Sequence, residues 1–530
     1  MLHLLMAGVL AAQPAPASPS PETPLSPAPS ASPLPGAPPT GSLSVTPSAV
    51  NLNPAQQRVV TVSGATAPLT ATLDRKLVTV TVDPNATSVT IDASQATGDD
   101  VLHLADANGA QADIPIRVAF NAGTIVPQTT LTVTGNPADP DWLARQVRAW
   151  VARLTPALPG AQTTVGSVDV PSQALPPGGQ QQFTVPVQVT SDGRYFDQTG
   201  QTTVDVQNVA AEPFAPTLLF YDDDPEHITA DGVLFRGTVT AAEPARLYYY
   251  HDNYGDPRRI VVLLSTEGAD PAQVHLIDAP AGPNADVMQV GHAVSRDFLL
   301  YKPLNEGIEV QVAPGAPFTL RDVPMTTRQG VAGSVDVRVL SGEPVTVTVL
   351  AASPGIDPRS LLAAAPLPGD GHQRNGVFRL TGFGSDALTY AVGGADAKLV
   401  IGDRDPTPPS ADPNASGHDY GDYGVAHRVD LTLSNPTDTA ATAYLYFRPI
   451  AGIARASFLV NGSLVELGCV RQPVPYQIAA LTLPPGQTHA ALETMTDGGS
   501  FYPVEVGVTA TPPAPTAPPI SAPDGCFPKP

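Results

Sequence analysis

Residues 41–122 alternate between hydrophobic and polar positions over short stretches. The stretches are Ser42–Thr46, Arg58–Val62, Leu69–Leu73, Val78–Val82, Ser88–Asp92, Val101–Ala105 and Asp113–Phe120. Turn-forming residues separate them at intervals of about eight to twelve positions, which is typical of an antiparallel β-sandwich. We therefore predict an immunoglobulin-like β-sandwich over residues 41–122.

A helical spacing replaces the alternation near residues 140–154. Asp139 can cap this helix and Pro140 suits its first position. Hydrophobic residues follow at intervals of three and four, at Leu143, Val147, Trp150, Val151 and Leu154. Because alternating stretches come next, we predict a small α+β domain over residues 125–212, in which the helix packs on strands at Thr163–Val170, Gln182–Thr190 and Thr202–Asn208.

The remaining pattern predicts strands only. It indicates one β-sandwich over residues 213–355 and a second over 356–512, the second with an irregular insertion rich in proline and aspartate near 403–422. The predicted fold class is therefore mainly β, with tandem antiparallel β-sandwich (immunoglobulin-like) domains and one small α+β domain.

Two stretches resemble known families. "TGDDVLHLADANGAQADIPIRVAF" resembles the last two strands of bacterial immunoglobulin-like surface domains, with Asp106, Asn108 and Gly109 as the hairpin turn. "PEHITADGVLF", "ARLYYYHDN", "IVVLLSTEG", "YGDYGVAHRVDLTLSNPT" and "FLVNG" are similar to a β-rich region of exported bacterial proteins, sometimes found beside stalk domains of the copper amine oxidase N-terminal type. The resemblance implies export and a pair of β-sandwiches, and it implies no activity.

The two ends of the chain favour export and extended spacers. Residues 1–13 have the shape of a signal peptide, with an apolar run from Leu4 to Ala12, although only His3, and no Lys or Arg, precedes that run. An ordinary apolar N-terminus is the alternative. Many of the 61 prolines lie in a linker over residues 14–40 and a tail over 513–530. We predict a protein that is secreted or held in the cell envelope.

The net charge of the chain limits the classes of binding partner that we expect. Net charge is −22 and Lys and Arg total 27, so no basic surface is expected for nucleic acid or an anionic membrane. After the N-terminal run no stretch approaches about 20 apolar residues, so we expect no membrane insertion of the mature chain. The candidate partners are a polysaccharide or another surface protein.

The stretch "ARLYYYHDNYGDPRR" concentrates aromatics in a chain where they make up 6 %. Alternation predicts a strand, the "DNYGDP" segment predicts a turn, and "RRIVVLLS" predicts the returning strand of a hairpin. Packing alone explains the aromatics. The functional alternative is a sugar platform formed by Tyr248, Tyr250, Asp252, Asn253 and Tyr254.

Two acidic segments are candidate sites. The loop Asp222–Glu226, followed by His227, suits a solvated turn, a metal site or a pair of catalytic carboxylates. Asp412, Asn414 and Ser416, with Asp419, resemble the first half of a calcium loop, but Tyr423 stands where its final Glu is expected. Calcium is therefore the one candidate cofactor.

The chain has two cysteines, Cys469 and Cys526. In an exported protein they can pair, and two separate thiols are the alternative. Motifs of common enzyme classes are missing, including HExxH, GxSxG and CxxC. We therefore predict a structural or adhesive protein of the bacterial surface without catalysis. The alternative is a carbohydrate-binding protein or a polysaccharide-active enzyme that uses the Tyr248–Tyr254 arm and the Asp222–Glu226 loop.

Overall fold

A computed structural model describes residues 41–406, 417–515 and 526. The predicted signal segment, the linker over 14–40, most of the tail, and Asp412, Asn414 and Ser416 lie outside the described residues. The chain divides into two compact units, Met1–Phe120 and Asn121–Pro530. Within the described residues neither helix combines the length and apolar character needed to span a bilayer.

The first unit contains two four-stranded sheets. Its strands are β1 (Ser44–Thr46), β2 (Val50–Leu52), β3 (Gln57–Ser63), β4 (Thr70–Leu73), β5 (Val78–Val82), β6 (Ser88–Ala93), β7 (Gly98–Ala105) and β8 (Gln111–Val118). The sheet orders are β1-β3-β6-β5 and β2-β8-β7-β4. The Asp106 carboxylate accepts hydrogen bonds from the backbone of Asn108 and Ala110, at 2.9 and 2.8 Å, and so closes the β7–β8 hairpin. The predicted mainly β fold class is confirmed.

The second unit begins with a helix on a sheet. Its first elements are β9 (Gln128–Thr134), α1 (Pro140–Leu154), β10 (Ala161–Val165), β11 (Gln180–Ser191) and β12 (Gln198–Asn208). Asp139 caps α1 by accepting from the backbone of Asp141 and Trp142, both at 2.9 Å. The helix buries Trp142 fully, whereas Trp150 is half-buried.

The sheet formed by β9–β12 continues into the part of the chain after residue 212. The following elements are β13 (Leu218–Asp222), β14 (His227–Ile228), β15 (Gly232–Val239), β16 (Ala245–Asn253), β17 (Arg258–Ser265), β18 (Ala272–Asn284), α2 (Val287–Tyr301), β19 (Gly307–Val312), β20 (Phe318–Met325), β21 (Gly330–Ser341), β22 (Val345–Ala352), a 3₁₀ turn (Pro358–Leu361) and β23 (Asn375–Arg379). One sheet runs β10-β11-β12-β9-β19-β18-β21-β16-β13-β23, with β14 beside β16, and a second runs β15-β22-β17-β20. Strands from both sides of the predicted division at residues 212 and 213 therefore share one sheet; the domain boundaries stay predictions.

The last part of the chain forms two further sheets. Its strands are β24 (Ser385–Ala391), β25 (Ala397–Ile401), β26 (Ala426–Asn435), β27 (Ala441–Pro449), β28 (Ile453–Val460), β29 (Ser463–Arg471), β30 (Tyr476–Leu483), β31 (Gly486–Met495) and β32 (Val504–Thr509). The sheet orders are β24-β26-β31-β28-β29 and β25-β32-β27-β30, around one hydrophobic core. Cys469 on β29 is disulfide-bonded to Cys526.

Two predictions for residues 213–355 are wrong. The region contains helix α2, which begins after the capping residue Asp286 and buries Val290, Val294 and Phe298 at four-residue intervals. Strands β16 and β17 do not form a hairpin, because they lie in different sheets. The reason is that both edges of β16 are occupied, one by β13 and β14 and the other by β21, so β17 pairs with β20 and β22 instead.

Helix α2 is tied to the last sheets by buried charge. The His292 ring bonds Asp497 through Nδ1 at 2.5 Å and Glu466 through Nε2 at 2.8 Å. Arg455 on β28 donates to Asp286 at 2.9 Å and to the sulfur of Cys526 at 3.0 Å. The helix therefore joins the long sheet, on which it packs, to the β28–β31 region.

Candidate functional site

The tyrosine arm lies in the interior. Strand β16 is buried along its whole length, and the exposed fractions of Tyr248 and Tyr250 are 1 % and 4 %. Burial raises the pKa of both hydroxyls well above the usual range. Tyr254, just beyond the strand, is 54 % exposed, so it is the one tyrosine of the predicted platform with a ring open to solvent.

Asp252 and Asn253 are also buried, and each has an internal partner. The Asn253 side chain donates to the carbonyl of Asp256 at 2.9 Å and accepts from the backbone of Gly255 at 3.1 Å, which fixes the turn after β16. The Asp252 carboxylate lies 2.5 Å from Nδ1 of His227. The structure therefore directs these two polar side chains to neighbouring segments of the chain.

The predicted Asp222–Glu226 loop lies against β16. Asp222 is fully buried, and its Oδ2 is 3.1 Å from Nε2 of His251. Nδ1 of His251 lies 3.0 Å from the Pro225 carbonyl, which can only accept, so Nδ1 carries a proton and donates it to this carbonyl. Burial lowers the pKa of His251, Asp222 raises it, and the net result is a pKa above the usual value.

Asp223 is a second buried carboxyl of this loop, and the Glu226 carboxylate lies close to it. Its Oδ2 accepts from the Tyr221 hydroxyl at 3.2 Å, while its Oδ1 is buried without a hydrogen-bond partner among the described residues. Burial, and then the Glu226 carboxylate, raise the pKa of Asp223 well above its usual range. Arg374 offsets part of this charge, with Nη1 2.7 Å from Glu226 and Nε 3.8 Å from Asp223.

A compact donor cluster lies at the rim of this loop. One ligand atom from each of Glu226, His227 and Asp252 lies within 4.8 Å of the other two. The ring of Tyr254 packs on the His227 ring with centroids 4.2 Å apart. An imidazole nitrogen and two carboxylate oxygens are suitable ligands for a divalent metal ion.

Among the candidate calcium ligands Asp412, Asn414, Ser416 and Asp419, Asp419 is the one within the described residues. It is fully buried, its Oδ1 accepts from the backbone of Tyr423 at 2.8 Å, and its Oδ2 has no hydrogen-bond partner there. Burial, and then Asp422, raise the pKa of Asp419 well above its usual range.

The sequence reasoning missed a further surface, the open face of β10, β11, β12 and β9. Inward positions such as Val185, Val187 and Val204 are buried on the α1 side. The strand registers place the alternate positions side by side on the other face, where they are exposed or half-buried. We call this set the open face: Gln128, Thr130, Thr132, Gln162, Thr164, Gln180, Gln182, Thr184, Pro186, Gln188, Thr190, Thr199, Gln201, Thr203, Asp205 and Gln207.

The open face is polar and nearly uncharged. Asp205 is its one ionisable residue, and the amides of Gln182 and Gln128 donate to its two oxygens at 2.7 and 2.8 Å. These bonds lower the pKa of Asp205, the bond from Gln182 most strongly. A groove of about 350 Å³ runs past Asp205 and Gln207. The signal was readable in "QQQFTVPVQVT", where Gln, Thr and Pro alternate with Phe and Val.

Comparison with known proteins does not assign this chain to a family. No family model matches the chain, and no curated protein matches it. Among solved structures, it is similar to a Bacteroides ovatus mixed-linkage glucan utilization locus protein, SGBP-B, in complex with a mixed-linkage heptasaccharide (10 % identity, 56 % of this chain and 72 % of that one, TM-score 0.13). It is also similar to Yersinia pseudotuberculosis InvD (12 % identity, 60 % of this chain and 98 % of that one, TM-score 0.14). A third similar structure is the adhesin InvE of the same organism (14 % identity, 58 % of this chain and 60 % of that one, TM-score 0.13). Likenesses with such TM-scores carry no argument, so the resemblance to exported bacterial β-rich proteins stays a prediction.

Proposed function

We propose that the chain is an exported, non-catalytic adhesive protein of the bacterial cell surface or envelope, and that its open face binds a neutral polysaccharide. The observation that carries this proposal is the composition of the open face, where amides and hydroxyls cover four adjacent strands. Strand β11 has 12 residues, so the face is about 40 Å long. It is long enough for several sugar units of an extended chain.

The chemistry of the face suits a polymer rich in hydroxyls. Each amide and each hydroxyl offers both a donor and an acceptor, as a sugar hydroxyl does. Removing uncharged groups from water costs less free energy than removing charged groups, so a neutral ligand can displace water along the whole face. The carboxylate of Asp205 keeps its two amide donors and adds a fixed acceptor at the centre of the face.

The tyrosine arm and the Asp222–Glu226 loop do not support the alternative of a sugar platform or a hydrolase. A platform must present its rings to solvent, whereas Tyr248 and Tyr250 are buried. Acid/base hydrolysis of a glycoside requires two carboxyl groups that face a substrate cleft. Asp222 and Asp223 instead point into the protein, where the neighbouring side chains are His251 and Tyr221, and the Glu226 carboxylate at the rim is paired with Arg374 at 2.7 Å.

The test is binding of the full chain to an array of neutral and acidic polysaccharides. We expect binding to at least one of the neutral polymers. The affinity should be at least about tenfold lower for Thr203→Arg, because a large cation at the centre of the face blocks the neighbouring side chains of Thr184 and Gln128. The matched control is Thr482→Arg, the same change at an exposed position of β30, which should bind as the unaltered chain does.

Two outcomes would contradict the proposal. One is a folded chain that binds none of the polymers, which would leave another surface protein as the candidate partner. The other is a hit that Thr203→Arg leaves unchanged, which would place binding elsewhere on the chain. The array is run with CaCl₂ and with a chelator, because Ca²⁺ at Asp412, Asn414, Ser416 and Asp419 remains a proposed cofactor.

A further inference from the structure

We propose that Glu226, His227 and Asp252 form a binding site for a divalent transition-metal ion, with Zn²⁺ as the representative ion. The three side chains are the group of described residues whose possible ligand atoms all lie within 4.8 Å of one another. A single ion can therefore contact all three with side-chain adjustments alone. The site is separate from the open face and goes beyond the proposed adhesive function.

The main chain holds the three residues in place. Strands β14 and β16 run parallel with His227 opposite Asp252, and the backbone N–H of Asp252 donates to the Glu226 carbonyl at 2.9 Å. The side chain of Asp252 is 7 % exposed and lies 2.5 Å from Nδ1 of His227. Because β16 is paired on both edges, Asp252 is a rigid ligand, as a preorganised metal site requires.

A neighbouring carboxyl group, that of Asp223, is only partly partnered within the protein. Asp223, with an exposed fraction of 8 %, has a buried oxygen without a hydrogen-bond partner among the described residues. Arg374 lies between Asp223 and Glu226 and is shared with a third carboxylate, Asp370, at 2.7 Å. One guanidinium therefore faces three carboxyl groups, and Asp252, which is paired with the His227 ring, lies beside them. A bound divalent ion would add positive charge next to these carboxyl groups.

The donor set selects the class of ion. An imidazole nitrogen suits Zn²⁺ and other first-row transition metals, whereas Ca²⁺ and Mg²⁺ prefer oxygen ligands alone. The His227 side chain is 50 % exposed, so water can reach the coordination positions that the protein leaves open. To bind the ion through Nδ1, the His227 ring takes the neutral tautomer that is protonated on Nε2, so that the Nδ1 lone pair is free for the metal.

The experiment is a calorimetric titration of the full chain with ZnCl₂, after treatment with chelator and removal of any purification tag. We expect one Zn²⁺ per chain, and a loss of at least about tenfold in affinity for His227→Ala. Because His227 is half-exposed, this variant should fold, as circular dichroism checks. Titration with CoCl₂ adds a visible absorption spectrum that reports coordination by nitrogen and oxygen.

The matched control is His103→Ala. The His103 ring also contacts two carboxylates, Asp113 at 2.7 Å and Asp74 at 3.1 Å, but through opposite ring nitrogens, so the three residues cannot share one ion. This variant should bind Zn²⁺ as the unaltered chain does, and so should the open-face variant Thr203→Arg, which separates this proposal from the adhesive function. Absence of Zn²⁺ binding, equal binding by His227→Ala, or equal affinity for CaCl₂ would overturn the assignment.

Discussion

Two ends of the same long sheet differ in what covers them. At one end β11 and β12 pack on α1 through one face and leave the open face to solvent. Towards the other end β16 is covered on both faces: Tyr248 lies near Tyr423, and Tyr249 lies near the ion pair of Arg321 with Asp278. The same backbone arrangement therefore gives an exposed surface at one end and an interior at the other.

The difference shows how each end satisfies its polar groups. At the open end two exposed amides, those of Gln128 and Gln182, are sufficient protein partners for the Asp205 carboxylate, because an exposed carboxylate can also accept hydrogen bonds from solvent. At the covered end charged groups need internal partners. Arg246 on β16 bonds Asp336 at 2.7 Å, and Lys302 lies 2.7 Å from the same carboxylate. Since a buried charge without a partner is costly, substitutions should have large effects at the covered end and small effects at the open end.

The largest effect is expected for Tyr248→Ala. Removing a fully buried ring leaves a cavity, and large-to-small changes of this kind cost about 3–5 kcal/mol of unfolding free energy. The measurement is urea unfolding of the full chain. Tyr420→Ala, the same change at a ring that is 63 % exposed, should stay within about 0.5 kcal/mol. Similar losses for both variants would mean that the two faces of β16 are not covered as described.

The second largest effect is expected from the contact of His292 on α2 with Asp497 and Glu466, whose contribution to stability depends on pH. Burial lowers the pKa of His292, but the nearby carboxylates of Asp497 and Glu466 raise it by more, so the resulting pKa is about 9. The pKa of an unfolded histidine is about 6.5. This contact therefore stabilises the fold fully below about pH 6.5, by about 3 kcal/mol, and the contribution is lost as the pH rises through about 9.

The measurement for His292 is urea unfolding at pH 6 and pH 9.5. The unaltered chain should lose stability between the two values, and His292→Gln should lose less, because its side chain does not titrate. His489→Gln is the matched control at an exposed ring and should keep the pH dependence of the unaltered chain. Equal pH dependence in the unaltered chain and in His292→Gln would rule out the charged contact.

The smallest effect is expected on the open face. Thr184→Val keeps the shape of an exposed side chain, so the unfolding free energy should change by less than about 0.5 kcal/mol. The neighbouring change Val185→Thr buries a hydroxyl against α1 and should cost about 1–3 kcal/mol. Urea unfolding of the two variants measures the contrast, and a large loss for Thr184→Val would show that the open face is covered.

Local signals in the sequence determined much of the fold. Alternation in residues 41–122 predicted strands there, and Asp139, Pro140 and the stripe from Leu143 predicted α1. Helix α2 was also readable, from Asp286 and the spacing of Val290 and Val294, but its glycine and polar residues obscured the pattern. These signals suffice because capping and alternation depend on residues close together in the chain.

Only the tertiary structure decided which strands share a sheet and which polar residues meet. "RLYYYHDN" predicted a strand, but its burial on both faces depends on contacts with Arg321 on β20, Phe298 on α2 and Tyr423, which are distant in sequence. The contact of His227 with Asp252, 25 positions apart, follows from the pairing of β14 with β16. Such pairings are set by which strand edges are free and by which faces must be covered, and no short stretch of sequence carries that information.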